Sequence, residues 1–157
     1  METTVLYLIR HCEPDASVDD DLSRPLTWRG RKQALRVTEC LKEKNISAVY
    51  SSDTRRTLDT IGDFARHSGL PVQTDIRLRE GTLGCPKEEN PIHSRRQWED
   101  HGYCLPGGES LSQVQERMRR CVEELLEKHS GRQIAVCTHG TAICAFINSL
   151  CPQFGWE

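Results

Sequence analysis

Short runs of apolar residues alternate along the chain with segments whose apolar residues recur at helical spacing. The runs that predict strands are Val5–Ile9, Ile46–Tyr50, Pro71–Thr74 and Ile134–Thr138. Strands that alternate with helices favour a parallel sheet covered by helices on both faces. The sequence therefore predicts an α/β fold, a three-layer sandwich with a mainly parallel sheet flanked by helices.

Capping and helix-breaking residues set the bounds of the predicted helices. Thr27 is a candidate N-cap for the first helix, and Ser51–Asp53 supplies N-cap candidates for the second. Ser110 and Gln113 have the spacing of a capping box that begins a long helix. The predicted helices cover about residues 27–44, 53–67, 110–130 and 141–150.

The apolar pattern also predicts which side chains are buried. Val5–Ile9 is apolar without alternation, which is typical of a strand buried on both faces. The first helix is expected to turn a set of apolar side chains inward: Ala34, Leu35, Val37 and Leu41. Several cysteines are expected on apolar helix faces, where a thiol behaves as a small hydrophobic group: Cys40, Cys121 and Cys144.

Charge and composition exclude several classes of protein. The 157 residues indicate one domain, and 21 Lys and Arg against 23 Asp and Glu leave a formal net charge of -2. Such a balanced charge argues against binding to nucleic acid or to an anionic membrane. No run approaches the ~20 apolar residues of a membrane-spanning helix, and Glu2 and Arg10 interrupt the start too early for a signal peptide. We therefore expect a cytoplasmic protein whose eight cysteines are reduced thiols.

Cationic and imidazole side chains follow several of the predicted strands. Arg10 and His11 end the first strand, Arg56 lies one helical turn beyond the second, and His139 and Gly140 follow the last. The carboxyl ends of parallel strands share one edge of the sheet, where ligands bind in such folds. Helix N-termini at the same edge add free backbone N–H groups and a positive dipole end. The sequence therefore predicts an anion pocket suited to phosphate.

Several blocks of sequence resemble, in the same order, the motifs of the histidine phosphatase superfamily, also called the phosphoglycerate mutase-like family. The blocks are Arg10–Glu13 for R-H-G, 26–34 for L-T-x-x-G-x-x-Q-A, 50–57 for S-S-x-x-x-R-A, 78–80 for L-x-E, 106–110 for P-G-G-E-S, and 138–140 for S-H-G. The resemblance implies one histidine phosphatase domain over residues 1–157 with a phosphoglycerate mutase-like fold. Because many members continue well beyond the last helix, it also implies a truncated or compact chain.

The resemblance assigns roles to the site residues. It makes His11 the nucleophile that carries the phosphoryl group as phosphohistidine, which divides one difficult transfer into two easier steps. Arg10 and Arg56 would hold phosphoryl oxygens with guanidinium groups that match phosphate geometry. His139 would bind another oxygen and stabilise charge in the transition state, with Gly140 in the same phosphate-binding set.

Two assignments have structural alternatives. By the resemblance, Glu80 is the candidate general acid for the leaving alcohol and then base for the incoming water, a task that favours a raised carboxyl pKa. Its neighbour Arg79 leaves open an ordinary surface ion pair instead. Arg55 competes with Arg56 for the phosphate-binding position, and counting S-x-x-x-R from Ser52 selects Arg56.

The sequence departs from the family pattern beside the nucleophile and after Glu80. Cys12 replaces the usual glycine, either as a packing residue or as a thiol whose pKa is lowered by a positive pocket. Residues 81–105 lack the common family pattern and form a candidate substrate cap segment. This segment carries basic side chains that predict either a basic cap over the leaving group or a solvated loop: Lys87, His93, Arg95 and Arg96.

The predicted activity is hydrolysis of phosphate monoesters without a metal ion or an organic cofactor, on a small phosphorylated metabolite or a phosphopeptide. The sequence contains no C-x5-R, G-x-x-x-x-G-K or G-x-G-x-x-G motif, which excludes cysteine phosphatases and argues against nucleotide binding. The segments 101–104 and 137–139 lack the partner pairs of a zinc site. Two alternatives stay open: a mutase that returns the phosphoryl group to its substrate, and an inactive phosphate-binding or scaffolding relative.

Overall fold

The computed structural model describes residues 3–155, and within them one sheet is flanked by five α-helices. The strands are β1 (Val5–Arg10), β2 (Ile46–Ser51), β3 (Val72–Thr74) and β4 (Gln133–Thr138). The helices are α1 (Trp28–Leu41), α2 (Arg55–Ser68), α3 (Asn90–Glu99), α4 (Leu111–Lys128) and α5 (Gly140–Leu150). The strands are all parallel, in the order β1-β4-β2-β3, which confirms the predicted α/β fold.

Alternate residues of the strands face two separate apolar cores. On one face, Val49 and Ala135 pack with side chains of α1 and α2 such as Phe64. On the other face, Tyr50 and Val136 pack with side chains of α4 and α5. Because neighbouring residues of a strand point to opposite faces, these cores lie on opposite sides of the sheet. The predicted three-layer arrangement is therefore confirmed.

The predicted N-caps of α1 and α4 are confirmed, and the predicted N-cap of α2 is wrong. The Gly30 N–H donates to Thr27 Oγ1 at 2.9 Å, and Ser110 and Gln113 bond reciprocally as a capping box. The N-cap of α2 is Thr54, so the expected cap within Ser51–Asp53 is wrong. Ser51 still belongs to β2, and this places the start of the helix later than the sequence suggests.

Four burial predictions are not met, those for β1, Leu35, Cys40 and Cys144. β1 is half-buried because it lies at the edge of the sheet and pairs only with β4 among the described strands. Leu35 is 54% exposed, and Cys40 is exposed as well. Both point away from the face of α1 that packs on the protein, which is formed by Gly30, Ala34, Thr38 and Leu41. Cys121 is buried as predicted, whereas Cys144 is only half-buried.

Helix α3 is absent from the sequence-based prediction and lies in the candidate cap segment. It begins beside Pro91, whose fixed φ is compatible with a first helical turn. Its sequence has no continuous apolar stripe, and Gln97 is its buried residue. Periodicity therefore gave no signal for it. None of the helices within residues 3–155 has the length and apolar character needed to cross a membrane.

Candidate active site

Three strands end level with one another and bring the predicted site residues together. Arg10 of β1 is in register with Thr138 of β4, and the His11 N–H donates to the Thr138 carbonyl at 3.0 Å. The Ser52 N–H donates to the Cys137 carbonyl at 3.0 Å, so β2 ends beside β4 as well. The His11 and His139 rings consequently lie with their centroids 5.2 Å apart. We call Arg10, His11, Arg56, His139 and Gly140 the phosphoryl pocket.

The ring of His11 is fixed by one hydrogen bond. Its Nδ1 lies 2.8 Å from the carbonyl oxygen of Cys12. Because a carbonyl only accepts hydrogen bonds, Nδ1 carries the proton and Nε2 carries the lone pair. Burial lowers the pKa of His11, and the nearby Arg56 and Arg10 lower it further. The imidazole is therefore neutral at pH 7, and its Nε2 has the electronic form of a nucleophile.

The loop after His11 is held by the block that resembles L-T-x-x-G-x-x-Q-A. The Glu13 N–H donates to Gln33 Oε1 at 3.0 Å, and the Thr27 N–H donates to the Glu13 carbonyl at 3.1 Å. Gly30 faces the same carbonyl so closely that a Cβ there would lie 2.2 Å from the oxygen. This block therefore positions the loop after His11 through α1, and a glycine is required at position 30 because the Glu13 carbonyl approaches so closely.

Cys12 is a packing residue in this loop. Its N–H donates to Thr60 Oγ1 at 2.9 Å, and Thr60 in turn donates to the Arg56 carbonyl at 2.7 Å. Burial raises the pKa of the Cys12 thiol. The hypothesis of a thiol with a lowered pKa is therefore wrong, because removal from water disfavours the thiolate more than the hydrogen bond with Thr60 favours it.

Arg56 lies inside the phosphoryl pocket, and Arg55 does not. Arg56 is 3% exposed, and its Nη2 lies 3.1 Å from His139 Nδ1. Its Nη1 also donates to the Asp21 carbonyl at 2.6 Å, and its Nη2 to Asp21 Oδ2 at 3.2 Å. The Arg55 side chain is 60% exposed and pairs with Asp59. The structure thus places the arginine selected by motif counting inside the pocket, and it adds Asp21, which no sequence motif indicated.

Gly140 lets the Arg10 side chain lie across the start of α5. A Cβ at Gly140 would be 3.3 Å from Arg10 Nε, so a larger residue would crowd the guanidinium group. In the first turn of α5, the N–H groups of Thr141 and Ala142 donate to Glu80, at 3.2 and 3.0 Å. Glu80 does not use the N–H of Gly140. That donor, at the positive end of the helix, is suited to a phosphoryl oxygen.

Glu80 is tied to the backbone at the same helix start. Besides the bonds from Thr141 and Ala142, its Oε1 accepts from the Gly81 N–H at 3.1 Å. Burial raises the pKa of Glu80 and outweighs these N–H groups, which lower it. The direction agrees with the prediction for a general acid, since a raised pKa keeps more of the carboxyl protonated.

The neighbours of Glu80 rule out the surface ion pair. Arg79 binds both carboxylate oxygens of Asp53, so it is not the partner of Glu80. Behind it, Arg117 Nη1 donates to the Arg79 carbonyl at 2.8 Å, and Arg117 also binds both oxygens of Glu109. Glu109 belongs to the P-G-G-E-S turn. Through Arg117, this turn holds the backbone at Arg79, next to Glu80. Sequence reasoning missed Arg117 because its partners are distant in the chain.

His139 is completely buried between Arg56 and a hydroxyl group. Its Nε2 lies 2.8 Å from Ser52 Oγ, and its Nδ1 lies 3.1 Å from Arg56 Nη2. Burial, with a further contribution from Arg56, lowers the pKa of His139 to about 2. It is therefore a neutral imidazole at pH 7 whose two nitrogens are both engaged.

The basic residues of the candidate cap segment are occupied by other partners. Lys87 binds Asp19 at 2.9 Å, and Arg95 binds Glu99 at 3.1 Å. Arg96 lies over the ring of Tyr103, and His93 Nδ1 lies 2.7 Å from the hydroxyl of the same residue. These side chains are thus engaged by other partners on the protein, and a basic cap over the leaving group stays a prediction.

A cavity of about 390 Å³ lies between α3 and Glu80. We call it the cap cavity. It is lined by Glu80, Gly81, Leu83, Asn90, Pro91, Ser94, Gln97 and Thr141. Gln97 is fixed by a bond from its Nε2 to the Glu109 carbonyl at 2.6 Å. No Lys, Arg or His lines the cavity, and within residues 3–155 no group of three or more His, Cys, Asp or Glu residues could hold a metal ion.

Comparison with known proteins establishes the family. The family model of the histidine phosphatase superfamily (branch 1) matches residues 6–155. The chain belongs to this superfamily. It is 31% identical over 159 aligned residues to a Yersinia enterocolitica protein named "Probable phosphoglycerate mutase GpmB", an alignment that covers 92% of this chain and 74% of that protein.

Solved structures of superfamily members have the same fold. YhfR from Bacillus stearothermophilus superposes with a TM-score of 0.81 at 29% identity, covering 94% of this chain and 79% of that one. A mycobacterial glucosyl-3-phosphoglycerate phosphatase in complex with VO3 gives a TM-score of 0.79 at 29% identity, covering 94% and 81%. The superfamily members similar to this chain thus include a phosphatase and a protein named as a mutase.

Proposed function

We propose that this protein is a phosphatase that hydrolyses phosphate monoesters through a phosphohistidine on His11. The observation that carries the proposal is the bond between His11 Nδ1 and the Cys12 carbonyl. It leaves a neutral Nε2 lone pair beside Arg56 and Arg10, the two cations that lower the pKa of this ring. A nucleophile set among fixed cations is the arrangement that attack on a phosphoryl group requires.

The reaction has two steps. In the first, the Nε2 lone pair of His11 attacks phosphorus, a P–N bond forms, and the P–O bond to the leaving alcohol breaks. Protonated Glu80 gives its proton to the leaving oxygen. In the second, Glu80 takes a proton from water, the water oxygen attacks phosphorus, and the P–N bond breaks to release inorganic phosphate. His11 returns to its neutral form, and Glu80 is protonated again.

The cations of the phosphoryl pocket stabilise charge throughout both steps. The guanidinium groups of Arg10 and Arg56 match the geometry of phosphoryl oxygens. The Gly140 N–H at the start of α5 adds a donor that is fixed by the helix. Charge stabilisation by preorganised donors is worth about 10²- to 10³-fold per donor in comparable sites.

The cap cavity favours a small, uncharged, polar leaving group. Its lining offers the amides of Asn90 and Gln97 and the hydroxyls of Ser94 and Thr141, and no cation. A carboxylate or second phosphate on the leaving group would lose water here without gaining a counter-ion. A phosphorylated metabolite with hydroxyl or amide groups therefore fits better than an acidic phosphopeptide.

The mutase alternative rests on the similarity to the Yersinia protein. A phosphoglycerate carries a carboxylate, and the cap cavity provides no cation to bind it. This argues for hydrolysis. The inactive-relative alternative is disfavoured because the nucleophile, both arginines and the acid all lie at one edge of the sheet.

The test compares wild type with His11→Ala on p-nitrophenyl phosphate, with EDTA present, and with Arg55→Ala as the surface control. We expect turnover in wild type and in Arg55→Ala, and a loss of roughly 10³-fold or more in His11→Ala. Denaturation in alkali during turnover of a radiolabelled ester should recover labelled protein, because phosphohistidine survives alkali. Full activity of His11→Ala would overturn the mechanism. Absence of turnover on a panel of esters, with phosphate still bound, would support the inactive relative.

A further inference from the structure

Three buried hydroxyl groups lie behind His139. Ser52, Thr54 and Thr57 are each at most 1% exposed. Ser52 Oγ lies 2.8 Å from Thr57 Oγ1 and 3.2 Å from Thr54 Oγ1. Thr57 stands where the S-S-x-x-x-R-A pattern has alanine, so its hydroxyl is a feature of this chain.

The direction of the hydrogen bonds is fixed at the arginine end. A guanidinium group can only donate, so Arg56 Nη2 donates to His139 Nδ1. His139 is neutral, as its lowered pKa requires, and a neutral imidazole carries one proton. That proton is therefore on Nε2, and Ser52 Oγ accepts it at 2.8 Å.

The direction is also fixed at the other end. Thr57 Oγ1 lies 3.0 Å from the Ser52 carbonyl and 2.9 Å from the Thr54 carbonyl. Carbonyls only accept, so Thr57 donates to them and its oxygen accepts the hydrogen of Ser52. Both ends therefore imply the same direction: Arg56 donates to His139, His139 donates to Ser52, and Ser52 donates to Thr57.

We propose that Thr57 is a positioning residue that acts through Ser52 and, together with Arg56 at the opposite nitrogen, holds His139 in the Nε2–H tautomer. This inference rests on the proposed function of the phosphoryl pocket. In the neutral form, His139 Nδ1 accepts from Arg56 and orients its guanidinium group.

Without the Thr57 hydroxyl, Ser52 loses its nearest acceptor. Its hydrogen can then turn toward His139 Nε2, which favours the opposite tautomer with the proton on Nδ1. That proton would face Arg56, a donor, so the guanidinium group would lose its partner and its orientation. Loss of one such bond is expected to lower kcat roughly threefold to tenfold, with a smaller effect on KM.

The experiment is nitrogen NMR on the full chain labelled at its histidine rings, at pH 7, with Thr57→Val as the variant and Thr57→Ser as the rescue. His139→Gln assigns the His139 signals by their disappearance. In wild type and in Thr57→Ser we expect a protonated Nε2 and an unprotonated Nδ1, and in Thr57→Val a population with these reversed. Thr54→Val is the matched control and should keep the wild-type tautomer, since Thr54 is not the nearest acceptor of Ser52.

The same tautomer in Thr57→Val as in wild type would overturn the proposal. If Thr57→Val does not fold, Ser52→Ala is measured in its place, and unchanged His139 shifts there would overturn the proposal equally. The spectra need no turnover, so a chain that fails to hydrolyse esters still tests the tautomer, and the two proposals fail separately.

Discussion

The phosphoryl pocket and the cap cavity meet at Glu80 and are built in different ways. The phosphoryl pocket is formed by strand ends and the first turns of helices, and its side chains are held by bonds to backbone and to buried hydroxyls. The cap cavity is formed by a loop and the short helix α3, whose charged residues form ion pairs at the surface. On the proposed function, the chemistry common to all phosphate esters would depend on the sheet, while the leaving group would contact a segment that can vary without disturbing it.

Among the variants that test the difference between the phosphoryl pocket and the cap cavity, the largest loss of activity is expected at Arg56. Arg56→Ala removes a phosphoryl donor and leaves His139 Nδ1 buried without a partner, so we expect kcat/KM to fall about 10³-fold. Arg55→Ala is the matched control on the same helix and should retain activity within about twofold, because its ion pair is exposed. Steady-state kinetics on p-nitrophenyl phosphate measure both. Equal losses in the two variants would contradict the assignment of Arg56.

Glu80→Gln tests the point where the two regions meet. The variant cannot give a proton, so we expect roughly 10²-fold loss on alkyl phosphates and a much smaller loss on p-nitrophenyl phosphate, whose leaving group needs little help. In wild type, deprotonation of Glu80 above its raised pKa should lower activity as pH rises, and this limb should vanish in the variant. Far-UV circular dichroism controls for damage to the start of α5. Equal losses on both esters would remove the acid role.

The buried histidine makes stability depend on pH. Since the pKa of His139 is lowered to about 2 in the folded protein, the unfolded chain binds more protons between that value and about 6.5. The free energy of unfolding should therefore decrease as pH falls through this window, by about 2 kcal/mol between pH 6.5 and 5. Urea unfolding at pH 7.5, 6.5 and 5 measures it, and His139→Gln should show a weaker dependence. His11, whose pKa is also lowered, contributes in the same direction.

Asp21 accepts hydrogen bonds from Arg56, whose guanidinium group is proposed to bind phosphate. Asp21→Asn removes a carboxylate charge from beside Arg56 while retaining the backbone carbonyl bond. We expect inorganic phosphate to bind roughly threefold to tenfold more tightly, because less charge has to be displaced. Product inhibition measures this, with Asp20→Asn as a neighbouring control. Weaker binding in Asp21→Asn would show that this carboxylate instead holds Arg56 in position.

The smallest effect is expected in the cap segment. Arg95→Gln and Arg96→Gln should change kcat/KM less than about twofold for uncharged leaving groups, since both side chains are engaged away from the cap cavity. A loss of tenfold or more on any ester would restore a role for cap charges in substrate binding.

The sequence predicted the phosphoryl pocket better than its surroundings for a physical reason. Residues that must follow a strand or begin a helix occur at fixed spacings, so Arg10, His11, Arg56 and His139 could be located by counting. Asp21 lies in a loop, and its position beside Arg56 depends on how that loop closes over α2. No local pattern describes such a contact.

The same limit applies to the cap segment. The sequence shows the basic side chains but not that Asp19, Glu99 and Tyr103 are their partners. The number of charged residues in a segment therefore does not predict how many of them are unpaired in the structure. Helix α3 lacks the apolar stripe on which helix prediction depends. The sequence shows Thr57 as a departure from the family motif. Its hydrogen-bond partners, the Ser52 hydroxyl and two carbonyls, are known only from the structure.

The register of β1 against β4 has a consequence for the order in which the protein is made. His11 and His139 are separated by most of the chain, and they meet only when β4 inserts between β1 and β2. Contacts of such long sequence separation slow folding, because the entropy of closing a long loop is lost before the contact stabilises the chain. A chain that extends only as far as α4 would contain His11, Arg10 and Arg56 but lack β4, an inner strand of the sheet. On the proposed function, activity would therefore depend on β4 having joined the sheet.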